Sequence, residues 1–88
     1  MASVQKVFAV ILTGRSDTNV SFADLQRILR RLGFTERSKG GHFIYTHPKI
    51  VEIINIQEGA GGKGKPYQVK QIRAIITKYG LTLTGAAE

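Results

Sequence analysis

The 88-residue chain carries 13 Lys and Arg against 6 Asp and Glu, a formal net charge of +7, and no cysteine. The length holds one domain with one modest core, and the lack of thiols excludes a disulfide framework, a cysteine nucleophile and a cysteine-bound zinc. So positive a small domain favours polyanions: nucleic acid first, then an acidic protein or an anionic membrane surface.

Val4, Val7, Phe8, Ile11 and Leu12 recur at the spacing of one helical face, predicting a helix over Ser3 to Leu12 that stops at Gly14. The apolar run Val7 to Leu12 is too short to span a bilayer and lacks the flanks of a secretion signal, so a cytoplasmic protein is expected. "GRSDTNV" reads as a connecting loop. "SFADLQRILRRLGF" is the clearest helix. Ser21 and Asp24 have capping-box spacing, and Phe22, Leu25, Ile28, Leu29 and Leu32 form the core stripe. Arg27, Arg30 and Arg31 lie elsewhere on the cylinder, toward the end where the helix dipole tolerates cations. Gly33 is the expected left-handed cap.

"FTERS" and "HFIYTH" flank "KGG" as the strands of a hairpin, and Pro48 turns the chain again. "VEIINIQ" reads as a third strand. Its apolar residues fall on both faces, Val51 and Ile53 on one and Ile54 and Ile56 on the other. That predicts either a central strand or an open face that a partner covers. The glycines of "EGAGGKGK" do not have phosphate-loop spacing. "KPYQVKQIRAIITKYG" predicts a closing helix, with Pro66 in its first turn, a stripe of Val69, Ile72, Ile75, Ile76 and Tyr79, and an end at Gly80. "LTLTGAAE" adds a short extended piece and a fraying tail. The expected fold class is α+β: a three-stranded antiparallel sheet with helices on one face, in the order α-β-β-β-α, preceded by an extra N-terminal helix.

Both histidines fall within "RSKGGHFIYTHP", residues 37 to 48. His42 is a candidate general acid or base, because imidazole titrates near neutral pH; as a hairpin residue it need only make one backbone hydrogen bond. Lys39, across the turn, is the nearest candidate phosphate contact, or else a solvated lysine. Gly40 and Gly41 either let the backbone approach a phosphate or simply permit the positive φ angles of a tight turn. His47 is separated from His42 by an odd number of residues, which places it on the opposite face of an unbroken strand, and it precedes proline. A two-histidine mechanism and a metal site are therefore not expected. Phe43 and Tyr45 read as core residues, with base stacking as the alternative. Lys63, Lys65, Lys70 and Arg73 are candidates for a basic rim, or ordinary surface charges.

"FADLQRILRRLGF", "KGGHFIY", "NIQ" and "KPYQVKQIRAII", in that order, resemble the HicA toxin family over about Ser21 to Leu81. The resemblance implies a compact fold like a double-stranded-RNA-binding domain. It also implies a toxin that cleaves mRNA without a cofactor, using one histidine in a glycine–serine–histidine pattern at the start of the second strand. His42 matches that histidine. A HicB-like antitoxin would neutralise the toxin, and contact with DNA would be indirect, through the antitoxin. Gly41 stands where the family usually has serine, and Phe43 where a second histidine is common. The implied layout is one domain over residues 1–88, with an extra helix at 3–13, the family core at 21–81 and a tail at 82–88. RNA can be cut by its own 2′-hydroxyl, given a proton acceptor and nearby cations, so one histidine beside lysines suffices. A non-catalytic duplex-RNA-binding domain and a protein docking an acidic partner through its basic face are the competing readings.

Overall fold

A computed structural model describes residues 3–83. The elements are α1 (Val4–Thr13), α2 (Phe22–Arg31), β1 (Thr35–Lys39), β2 (His42–His47), β3 (Ile50–Gln57) and α3 (Pro66–Tyr79), with short 3-10 turns at Asp17–Asn19 and Ala60–Gly62. The strands form one antiparallel sheet in the order β1-β2-β3. This is the expected α+β architecture with an additional helix in front.

Local chemistry sets the helix boundaries. Ser3 accepts from Lys6 N (3.2 Å) and Ser21 accepts from Asp24 N (3.1 Å), each satisfying an orphan donor of a first turn. Gly14 and Gly80 end α1 and α3 in the left-handed region, at φ 72° and 60°. The buried stripe of α2 is Phe22, Leu25, Ile28 and Leu29, and that of α3 is Val69, Ile72, Ile75 and Ile76. Together with Tyr45, Ile54 and Ile56 from one face of the sheet, they make a single core. Tyr79, Leu81 and Leu83 pack partly against it, and Leu81–Leu83 has no regular structure. The rest of the predicted tail, 84–88, lies outside the described residues. No described helix is long and apolar enough to cross a membrane.

Of the two readings of the third strand, the structure selects the open face: β3 is an edge strand, and its second face is uncovered, with Val51 90% and Ile53 61% exposed. Its apolar residues therefore line two different surfaces, one packed and one open. The α1 stripe is narrower than its periodicity predicts, since Leu12 stays exposed while Val4, Val7 and Ile11 are buried. α1 packs on α2 and α3, not on the open sheet face. A ten-residue helix is marginal alone, and burying three branched side chains at roughly 1.5–3 kcal/mol each is what holds it.

A polar clip fixes the same helix. Arg73 on α3 donates to both carboxylate oxygens of Asp17 (2.9 and 3.1 Å) and to the Ile11 carbonyl at the end of α1 (3.1 Å). The guanidinium reaches this position because Gly14 has no side chain; a Cβ there would lie 3.2 Å from it. Arg73 is thus committed to the helical side and does not form part of a basic rim.

The Arg73 hydrogen bonds hold the Asp17 carboxyl below its ordinary value of 3.8, against the opposing effect of burial. A depressed carboxylate contributes stability that is present above its unfolded pKa and lost as pH falls through the folded one. Asp17→Asn is expected to lower the melting temperature at neutral pH, by the equivalent of about 2 kcal/mol. The gap between parent and variant should close below pH 3.8. A gap that does not change with pH would contradict the clip.

Candidate functional site

The site begins at the β1–β2 turn. Gly40 and Gly41 take φ 57° and 84°, the two positive angles of a type I′ turn, and nothing lies within 4 Å of a Cβ built at either position. The turn places Lys39 directly opposite His42 and Ser38 opposite Phe43. Alternation along β2 then sends Phe43 and Tyr45 toward the helices and His42 and Ile44 to the open face. Phe43 packs edge-on against Phe22 with ring centroids 5.4 Å apart, and Tyr45 is fully buried. Both aromatics are core residues.

On the open face His42 is exposed, and its Nδ1 lies 3.2 Å from Asn55 Oδ1 on β3. Lys39, Gly40, His42, Ile44 and Asn55 line a shallow, open concavity of about 410 Å³. Across the sheet, Lys39 pairs with His42 and His42 with Gln57, a row roughly 10 Å long at ordinary strand spacing. Lys65, from the loop before α3, extends the row through a contact between its Nζ and Gln57 Oε1 (3.4 Å). Arg37 shares the face, two residues before Lys39 and opposite Ile44.

The loop carrying Lys65 is fixed by close packing. Gly64 N donates to Val20 O (2.8 Å), and Ser21 bridges to Lys63. A Cβ on Gly64 would fall 2.2 Å from Leu25 Cδ1, so only glycine fits there. Gln68, 2% exposed, lays its amide on the exposed backbone edge of Gln57; oriented so that its oxygen accepts from Gln57 N (3.0 Å) and its nitrogen donates to Gln57 O (3.3 Å), it satisfies both groups. The end of β3 is thereby tied to α3.

Charge is divided between the two sides of the sheet. Both strand carboxylates face the helices. Glu36 takes hydrogen bonds from Tyr45, Gln26 and Arg30. Glu52 takes them from Lys78 (2.7 Å) and Tyr79 (2.5 Å), which hold its carboxyl down at about 2. Burial and the Glu36 carboxylate push the Tyr45 phenol well above its usual value. The strand positions of the open face carry Arg37, Lys39 and His42 and no acid.

The other candidates separate from this group. Lys63 Nζ donates to Asn19 Oδ1 (2.9 Å), and Lys70 lies close enough to Asp17 to help lower its pKa. His47 is on the helical side, its ring 5.1 Å from that of Phe34 and its Nδ1 accepting from Lys49 N (3.1 Å). The two histidines do not meet. Among the described residues, no three His, Cys, Asp or Glu side chains group as metal ligands would. Asn55, Gln57 and Arg37 were not picked out by sequence reasoning. Their signal is parity: Asn55 and Gln57 alternate with the core residues Ile54 and Ile56, and Arg37 is two residues from Lys39.

Fold and site together define a small α+β protein with an acid-free, cationic sheet face centred on one exposed histidine. Residues 22–81 match the family described as HicA toxin of bacterial toxin–antitoxin systems. The match spans most of the chain, and the chain belongs to that toxin family; α1 lies outside the matched region. Comparison with curated proteins and with solved structures gives no match.

Proposed function

We propose that the protein is an endoribonuclease that cleaves mRNA without a metal ion, with His42 as the proton-transferring residue. Its action is in the cytoplasm, where it stops translation. The observation that carries this reading is the position of His42: exposed, directly across from Lys39, on a sheet face whose strand positions hold no carboxylate. A polyanion can approach that ring without meeting like charge.

In the proposed reaction His42 takes the proton of a ribose 2′-hydroxyl. The 2′-oxygen bonds to the adjacent phosphorus, and the bond from phosphorus to the 5′-oxygen breaks. The leaving oxygen takes a proton from water. The products are a 2′,3′-cyclic phosphate and a free 5′-hydroxyl. Lys39 stabilises the charge that builds on the phosphorane, and Lys65, at the far end of the row, takes a flanking phosphate. Gly40 and Gly41 keep the approach to Lys39 clear. Lys63 and Lys70 contribute to the wider positive field that draws RNA in.

A toxin of this kind works with an antitoxin. We propose that a HicB-like partner covers the open sheet face, burying Val51, Ile53 and Ile44 and meeting the cations with acidic groups. DNA contact then belongs to the partner.

Expression of the protein should arrest growth and degrade mRNA, and His42→Ala should abolish both, with a loss of at least roughly a hundredfold in cleavage rate. Cleavage by the parent should persist in EDTA. An alanine variant that cuts RNA and arrests growth like the parent refutes the role given to His42. Lys39→Ala and Lys65→Ala should each weaken RNA binding and flatten its salt dependence by about one unit of log–log slope. Ile53→Asn, which adds no charge to the face, should weaken neutralisation by the antitoxin while still cleaving RNA; if the antitoxin silences it as fully as the parent, the covered face lies elsewhere.

A further inference from the structure

We infer that Asn55 is a positioning residue, holding the His42 ring in the protonation pattern that leaves Nε2 free to act as the base. The inference rests on the reading of His42 given above. An amide oxygen only accepts, so the 3.2 Å contact between Asn55 Oδ1 and His42 Nδ1 requires the ring proton on Nδ1 and leaves the lone pair on Nε2. A neutral histidine in water prefers the opposite arrangement, with the proton on Nε2. Asn55 reverses that preference.

The placement suits the task. Asn55 pairs with Ile44, and His42 with Gln57, so Asn55 and His42 are diagonal neighbours on adjacent strands. Both rest on regular backbone tied to a packed core, which fixes an orientation more tightly than a loop does. Both line the same concavity with Lys39.

The choice of a neutral group also has a physical reason. The polar groups around the ring are Lys39 on one side and Gln57 on the other, with Arg37 and Lys65 beyond them. An aspartate would accept from Nδ1 equally well, but it would set a negative charge where a phosphate must come. Asparagine orients the ring without that repulsion.

His47 provides an internal reference. Its Nδ1 accepts from a backbone N–H, so when neutral it carries its proton on Nε2. The two rings of the chain are expected in opposite tautomers.

The test combines nitrogen-15 NMR of labelled histidines in alkaline buffer with cleavage kinetics, on the full chain and on Asn55→Leu and Asn55→Asp. In the parent, His42 should show a protonated Nδ1 and His47 a protonated Nε2. Asn55→Leu should move His42 alone to the solvent-preferred tautomer and lower kcat about tenfold, with KM changed by less than about twofold. Asn55→Asp should keep the His42 signature and the parent kcat but raise KM severalfold, most at low salt. Unchanged His42 resonances in Asn55→Leu, or equal losses of kcat in both variants, overturn the assignment. The ring spectra decide it without reference to turnover, whereas a fully active His42→Ala variant would overturn the cleavage reading instead.

Discussion

The arrangement on the open face depends on the register of one hairpin. Gly40 and Gly41 accept positive φ angles at little cost, and that two-residue turn sets Lys39 opposite His42. A slip of one residue along β2 would turn His42 and Ile44 into the core and Phe43 and Tyr45 out to solvent. The core opposes such a slip. Tyr45 is fully buried with its hydroxyl on Glu36, and Phe43 meets Phe22. Ring packing under the sheet thus specifies what the sheet shows above it.

The same alternation sorts the charges. The acids Glu36, Glu52 and Asp17 pair with Arg30, Lys78 and Arg73, all on the helical side. Those cations contribute to holding the fold together, and the exposed pairs among them contribute little each. Arg37 and Lys39 have no acid across from them on the sheet. Arg37 and Lys39 therefore give the surface where His42 stands a local positive charge that no strand acid offsets, which matters more for a polyanion than the total of +7 does.

Much of this was legible in the sequence, because periodicity is local. The helical stripes, the Ser21 cap, the "KGG" turn and the opposed faces of His42 and Tyr45 follow from spacing alone. What was not legible depends on the chain returning to itself. Arg73 looks like another surface cation until the loop after α1 brings Asp17 to it. Gly64 looks like one glycine among several in a loose loop, yet its missing Cβ is what admits Leu25. β3 is apolar on both faces, which fits a central strand and an edge strand with an open face equally well, and nothing local decides between them. The meeting of His42 with Asn55, and of Lys65 with Gln57, needs the register of two strands and the path of a loop.

The glycine at position 41 connects these points. The resemblance to the toxin family implies a serine there. In this chain Gly41 sits at φ 84°, where any residue with a Cβ is strained by about 1 kcal/mol or more, although the space around it is empty. A serine would therefore fit sterically but would work against the turn that sets the register. Asn55 Oδ1 reaches His42 Nδ1 from the next strand at 3.2 Å, a contact that involves no group of the turn. The turn that sets the register is thus left to glycine, and the polar neighbour of the ring comes from the sheet, whose geometry the core holds.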